Sequence, residues 1–531
     1  MKRISIKAFL AAFLLIGGTG YLSAQNARVK IDIERTIGEV NQNIYGNFAE
    51  HLGRCIYGGI YDEGSSLADE DGLRKDVLEA VKGLNVSLVR YPGGNFVSNY
   101  HWKDGIGPKD DRPPRMELAW ARLETNRFGT DEFMKFVKKA GTEPYLSVNM
   151  GTGTIEEAQQ WVEYCNVKEG PYYAELRKKY GSVEPYNVKY WSLGNEMDGH
   201  WQMGHLNAED YSKKALEAAK LMRLTSPEIK IIAAGSSNYT PGADPNEWNS
   251  TILHELRDVI DYIALHMYVG NPNDNYYNYL STPRILEERT QIVKGMILRE
   301  MQGAERESPD PIYIAWDEYN TWYRARTDKA LVGNNALEEH YNLEDALVIA
   351  GFLNAFVRNA DIVKMANMAQ LVNVIAPIFT NETGMFKQTI YYPLALFANN
   401  VFGTSLDLFV DCDTYNTDNF AIGMGEVTTQ QNGVPYLDIS ATYKDGEVIL
   451  CVINRHKDKA IATDFISQTG MFNGDFEVYE VNGPDTKADN DFGKTQVETK
   501  QKPVIKVNKS DQFSYSFPAH SFTLIKGKIV E

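Results

Sequence analysis

Tyr190-Trp191-Ser192-Leu193-Gly194-Asn195-Glu196 and Ile312-Tyr313-Ile314-Ala315-Trp316-Asp317-Glu318 are two short apolar runs that each end in a carboxylate. A buried strand that runs out into an acidic side chain and then a loop is how a parallel barrel presents reactive groups at the carboxyl ends of its strands. Similar runs lie on both sides of these two. The full set of predicted strands is 44–49, 87–91, 144–149, 188–193, 229–234, 262–268, 312–316 and 362–368, most of them followed by an amphipathic helical stretch. Strict strand-helix alternation means a parallel sheet with helical crossovers, and eight such units fit a closed (β/α)8 TIM barrel of the α/β class better than an open doubly wound sheet.

Helix signals agree with the count. Thr154 followed by Glu157 reads as a capping box opening a helix through Trp161. Over 207–222 an N-cap asparagine and acidic first-turn residues precede an apolar stripe of Tyr211, Ala215, Leu216 and Ala219. A third helix is predicted over 342–359. The longest insertion, 270–311, follows the sixth strand and carries a helix around 285–301, in a position to wall the site.

From about residue 403 the texture changes to strands and turns. Predicted strands at 438–443, 448–454, 476–481, 504–507 and 522–526 are separated by Asp-Gly, Asn-Gly and Lys-Ser-Asp punctuation. This reads as a C-terminal β-sandwich, and the early strand at 28–34 is expected to pair into it. The chain therefore divides into a leader (1–24), an N-terminal strand of the sandwich (25–40), the barrel (41–403) and the sandwich domain (404–531).

The leader is recognised by Lys2, Arg3 and Lys7 before the apolar run 9–16 and by the small residue Ala24 at a cut site, which is the pattern of a secretory signal peptide. Its apolar run is too short for a stable membrane-spanning helix, and no later stretch is long enough without charges. An exported chain, periplasmic or extracellular, is expected. The formal charge of −17 includes those three basic residues, so the remainder is more negative still. Such a surface opposes nucleic acid and anionic membranes and leaves a neutral polymer as the better partner. Cys55, Cys165, Cys412 and Cys451 are scattered without CxxC spacing, so isolated thiols are expected in place of a disulfide framework or a zinc site.

Glu196 and Glu318 fall on the fourth and seventh predicted strands. Hydrolysis of a glycosidic bond needs one carboxyl to protonate the leaving oxygen and another to act at the anomeric carbon, and a separation of roughly 5 Å implies retention through a covalent ester. Repulsion from an ionised Glu318 would hold Glu196 protonated for the first step and leave it able to act as base in the second. A lone strand-ending glutamate is usually an ordinary surface residue. Two of them, each flanked by a Trp and an Asn, argue against that reading.

These segments carry a family resemblance. Trp191-Ser192-Leu193-Gly194-Asn195-Glu196 resembles the Asn-Glu acid/base signature of clan A glycoside hydrolases, and Trp316-Asp317-Glu318-Tyr319-Asn320 resembles the nucleophile segment of glycoside hydrolase family 51. The runs 50–59, 90–96, 126–133 and 369–374 are similar to that family's sugar-binding segments. The likeness covers about residues 41–403 and is weaker over the sandwich. It implies a retaining, exo-acting α-L-arabinofuranosidase acting on arabinan, arabinoxylan and their oligosaccharides. It also implies a jelly-roll companion domain, no metal or organic cofactor, and in many members a homo-oligomer. By motif position Glu196 becomes acid/base and Glu318 nucleophile. Glu50, Asn95, Asn195 and Gln370 would bond the furanose hydroxyls, with Tyr268 turned toward the nucleophile and Arg90 supporting it. His266, two residues before Tyr268, faces the same side of its strand, near the site or simply packed in the barrel. Tyr319 stands where relatives commonly have Trp, which puts the local pocket wall in question.

Other signals carry less. Gly151-Thr152-Gly153 lies between a strand and a helix, but Glu156 replaces the third small residue of a dinucleotide loop and would repel pyrophosphate. Asp198, His200 and His205 lack the i, i+4 spacing of a helical zinc site, and 485–491 lacks an EF-hand pattern. Trp201, Trp248 and Trp322 serve core or rim packing as well as sugar stacking. The alternatives to an arabinofuranosidase are another retaining clan A enzyme, a β-xylosidase or endo-glucanase, and a non-catalytic carbohydrate-binding protein that keeps an old barrel.

Overall fold

The computed structural model describes residues 25–530 except 307, 328 and 424. The predicted leader lies outside the described residues. Eight parallel strands close into a barrel in chain order: Gly46–Phe48, Leu88–Tyr91, Glu143–Ser147, Tyr190–Leu193, Lys230–Ala234, Tyr262–Val269, Tyr313–Thr321 and Val363–Ala369. The first seals against the eighth through Gly46, Asn47 and Phe48 opposite Asn367, Met368 and Ala369. Leu88, Tyr145, Tyr190, Ile232, Tyr262, Ala264, Ala315 and Met365 fill the lower interior, so the barrel is a packed core with a site only at its upper end.

Each predicted strand is present, and the seventh shows the largest difference. It runs five residues past the predicted end at 316, to Thr321. Its continuation Asp317-Glu318-Tyr319-Asn320 is polar, which argues against a strand locally, but these residues are buried, and 318–321 pair with 266–269 of the sixth strand. Helix ends follow their caps. Thr154 accepts from the Glu157 amide to open Ile155–Asn166, but the Glu157 carboxylate bonds His101 Nδ1 at 3.0 Å where the capping box would have it reach back. Asn207 opens Ala208–Thr225, and Asn342 with Asp345 forms the reciprocal box that opens Leu343–Arg358.

That last helix is buried all round, which its apolar sequence requires. One side packs on the barrel, where Phe352 and Phe356 meet Tyr319. The other meets the companion domain, where Asn354 exchanges hydrogen bonds with Asp438 and Ser440. The companion is a two-sheet sandwich. One sheet orders strands 409–411, 25–31, 461–467 and 512–517, and the other orders 36–39, 404–406, 437–444, 447–454, 521–530, 471–482 and 498–510. The N-terminal strand Gln25–Ile31 thus lies inside the sandwich, parallel to Ile461–Ser467. Val29, Ile31, Leu450, Val452, Phe465, Phe513 and Ile525 form the core between the sheets.

The insertion after the sixth strand forms two helices, Tyr276–Leu280 and Thr282–Met301. A hairpin of Phe420–Gly423 and Glu426–Thr428 leaves the companion region and reaches the barrel rim, where the Ile422 carbonyl accepts from the Gly270 amide at 2.7 Å. All four cysteines are unpaired. Among the described residues no helix is long and apolar enough to cross a membrane.

Candidate active site

The fourth strand is buried throughout and stops at Leu193. Gly194 (φ 89°) and Glu196 (φ 44°) then take the left-handed region, so the chain bends sharply over the barrel mouth. A side chain at Gly194 would press its Cβ to 2.8 Å from that of Met150. The left-handed glutamate itself is strained, at a cost of about 1–3 kcal/mol, a cost met at functional positions.

Glu318 arrives by a different device. Ala264 is opposite Ala315, but His266 is opposite Glu318, so the seventh strand carries one extra residue at that point. A shift of the same kind occurs against the eighth strand between Trp316 and Tyr319. In a regular strand Asp317 and Glu318 would face opposite sides. The bulge lets both reach the interior.

There they meet Arg90 of the second strand and His266 of the sixth. Arg90 donates to Glu318 Oε1 at 2.6 Å and to Asn195 Oδ1 at 2.7 Å, and its Nε lies 3.4 Å from Asp317. His266 places Nδ1 3.0 Å from Glu196 and 3.6 Å from Glu318, with Nε2 3.1 Å from Asp317. Tyr268 donates to Glu318 Oε2 at 2.7 Å, and Trp201 donates to Glu196 Oε2 at 2.5 Å. Carboxylate oxygens of Glu196 and Glu318 lie within 4.8 Å of one another. That spacing suits one anomeric centre and leaves little room for an intervening water, which is the retaining geometry.

Burial and mutual charge shift the protonation of these groups in opposite directions. Burial, and then repulsion from Glu318, raise Glu196 above the ordinary carboxyl range, against the lowering pull of His266 and Trp201. Burial opposes protonation of His266, but Glu318, Asp317 and Glu196 together outweigh it and raise its pKa well above the usual value. Burial acts to raise Asp317, and Arg90 followed by His266 reverses this and lowers it. Burial also lifts Glu50 to about 7.

A hollow of about 200 Å³ opens beside these groups, lined among others by Glu50, Gly94, Asn95, Glu318 and Gln370. Glu50 accepts from the Phe96 amide, from Trp120 Nε1 at 3.1 Å and from Gln370 Nε2 at 2.8 Å. Asn195 Nδ2 is buried with no protein partner, an unused donor beside the reacting groups. Gly94 leaves room for the nucleophile in this wall, because a Cβ there would lie 2.9 Å from Glu318 Oε1. Glu196, His266 and Glu318 are also close enough to converge on a metal ion. Arg90, however, already supplies positive charge to Glu318 directly.

Of the residues picked from the sequence, Glu50, Asn95, Glu196, Tyr268, Glu318 and Gln370 line one hollow, Arg90 bonds both Glu318 and Asn195 outside that lining, and His266 lines a neighbouring hollow that shares Glu196 and Tyr268. The sequence reading missed three contributors. Asp317 lies one residue beyond the predicted strand end at 316, Trp201 reads from sequence equally as packing, and Trp120 comes in on the hairpin Arg115–Glu117 and Arg122–Glu124. A tryptophan flanked by turns is a signal for Trp120, but its partner Glu50 is distant in sequence. Tyr319 does not touch the pocket. It is fully buried against Phe352 and Phe356, so the Trp-to-Tyr difference alters the barrel-helix layer and leaves the site wall unchanged.

Comparisons with known proteins point to one family. Two family models match, the "Alpha-L-arabinofuranosidase 1 domain" over residues 80–284 and the "Alpha-L-arabinofuranosidase C-terminal domain" over residues 317–521. The probable alpha-L-arabinofuranosidase C of Aspergillus clavatus is 42% identical over 509 residues, covering 94% of this chain and 97% of the relative. An intracellular exo-alpha-(1->5)-L-arabinofuranosidase of Halalkalibacterium halodurans is 40% identical, covering 82% and 86%. Among solved structures, the Thermotoga maritima alpha-L-arabinofuranosidase in complex with arabinose superposes with a TM-score of 0.86 at 41% identity, covering 95% of this chain and all of that one. The GH51 alpha-L-arabinofuranosidase of Thermotoga petrophila gives the same TM-score, identity and coverage.

Proposed function

The chain belongs to the α-L-arabinofuranosidases of glycoside hydrolase family 51, and we propose that it releases terminal non-reducing α-L-arabinofuranosyl groups from arabinan, arabinoxylan and derived oligosaccharides with retention of configuration. The observation that carries this reading is the Glu196–Glu318 approach within 4.8 Å over a sugar-sized hollow.

In the first step a Glu318 oxygen attacks the anomeric carbon as Glu196 passes its proton to the departing oxygen, leaving a glycosyl ester on Glu318. Esterification removes the negative charge that repels a second anion, so the Glu196 pKa falls and its carboxylate can take a proton from water. That water opens the ester and regenerates both groups. Arg90 and Tyr268 orient Glu318 through one oxygen each. Glu50, Asn95, Asn195 and Gln370 are proposed to hold the furanose hydroxyls through hydrogen bonds that strengthen as positive charge develops on the ring.

The test is Glu318→Ala, which should abolish release of arabinose from an aryl α-L-arabinofuranoside. Azide should restore turnover and give a glycosyl azide of inverted configuration. Full activity of the variant, or faster hydrolysis of xylosides or glucosides than arabinofuranosides by the wild type, would overturn the reading.

The same proposal includes export, supported by the basic residues, apolar run and Ala24 of the leader. N-terminal sequencing of protein from the envelope or medium should begin at Gln25. A homo-oligomer, supported by the family likeness, should appear as a multiple of the chain mass in light scattering.

A further inference from the structure

A second hollow, of about 160 Å³, adjoins the first. The two share Glu196, Trp201 and Tyr268, but only the first contains Glu318. The bond that breaks must lie between the groups that act on it. With the anomeric carbon beside Glu318 and the leaving oxygen at Glu196, the departing group extends into the second hollow.

The far wall of that hollow comes from three separate parts of the chain. The loop 237–240 contributes Asn238, Tyr239 and Thr240. It is tied to the Glu196 segment through Asp198, which accepts from the Ser237 amide at 2.8 Å and the Asn238 amide at 2.9 Å. The helix Thr282–Met301 contributes Arg289, whose guanidinium lies 3.6 Å over the Tyr239 ring. The hairpin from beyond the barrel contributes Glu426, which pairs with Arg289. Its turn residue Gly425 would place a Cβ 4.0 Å from Thr240, so hairpin and loop are neighbours.

On the arabinofuranosidase reading, we infer that this hollow binds the leaving group as a single neutral sugar ring, whose hydroxyls are gripped by the Arg289–Glu426 pair. Glu426 makes the companion domain part of substrate selection. The ligand class follows from the chemistry. A guanidinium offers donors and a carboxylate offers acceptors, while the rest of the wall is mostly apolar, from Trp201, Tyr239, Met267 and Tyr268, a mixture that suits a sugar ring with both C–H faces and hydroxyls. Because the pair cancels its own charge, it gives an anionic uronosyl group no advantage. The volume is below the roughly 300 Å³ at the lower end of ligand pockets, which suits one ring and not a chain.

The test compares kcat/KM for an α-(1→5)-linked arabinofuranosyl disaccharide with kcat/KM for 4-nitrophenyl α-L-arabinofuranoside, in wild type, Glu426→Ala and Glu426→Gln. The ratio of the first to the second should fall about tenfold in Glu426→Ala and less in Glu426→Gln, the loss expected when one charge-assisted hydrogen bond to a sugar is removed. The glutamine variant keeps the side-chain shape and answers the question if the alanine variant does not fold. An unchanged ratio, including equal losses on both substrates, would overturn the inference. Failure of the wild type on both substrates would instead overturn the functional reading on which it rests.

Discussion

Nδ1 of His266 lies 3.0 Å from Oε1 of Glu196, so the sixth strand bonds directly to the group proposed as proton donor. His266 favours the ionised form of Glu196, while burial and Glu318 favour the neutral one. The balance decides over which pH range the proton is available.

His266→Gln should therefore move the alkaline limb of kcat/KM upward. Removing a cation that lowers the Glu196 pKa lets that pKa rise, and the acid stays protonated to higher pH. The measurement is a pH profile on a substrate with a poor leaving group. A limb that stays in place or moves down would contradict the assignment.

Glu196→Ala should lose activity in proportion to the need for protonation. On saccharide substrates kcat/KM should fall by about 10²–10⁴-fold, and on an activated aryl arabinofuranoside by far less. Azide should attack the glycosyl ester and give an azide of retained configuration, opposite to that from Glu318→Ala. Equal losses on the two substrate classes would remove Glu196 from the acid role.

Glu50 predicts a pH dependence of stability. Its carboxyl titrates near 7 in the folded chain, against an ordinary value of 4.5, because burial disfavours the charge. The folded state thus holds this proton more tightly than the unfolded state. The associated stability is complete below about pH 4.5 and is lost as pH rises through 7, with an upper limit of roughly 3 kcal/mol. Glu50→Gln has no such proton, so the melting-temperature difference between variant and wild type should change across that window. A constant difference would show that Glu50 does not titrate there.

Gly94→Ala should impair catalysis with little effect on folding. The new Cβ would sit 2.9 Å from Glu318 Oε1 and 3.4 Å from the Asn195 amide, so the nucleophile must shift away from Arg90. A displacement of this order costs up to about 10²-fold in kcat. Wild-type kcat would mean that Glu318 is less closely held than its contacts indicate.

Much of this was legible in the chain itself. Alternation of apolar strands with capped helices depends on neighbours a few residues apart, so the eight strands of the barrel could be counted without coordinates. The polar continuation of the seventh strand could not, because 317–320 form a strand only through partners about fifty residues away. The strands Ile461–Ser467 and Gln512–Phe517 were missed for a related reason. They complete the sheet that contains the N-terminal strand Gln25–Ile31 by pairing with it and with each other, partners far away in sequence.

By itself the sequence determined that the chain is a barrel with a sandwich and that Glu196 and Glu318 belong with its fourth and seventh strands, since side-chain periodicity and cap chemistry are local properties. Only the tertiary structure decided that a bulge turns Asp317 and Glu318 toward one interior, that His266 lies between the two glutamates, and that a hairpin from beyond the barrel places Glu426 beside Arg289. Those relationships depend on distances across the fold, and residue order along a chain does not specify them until the core has packed.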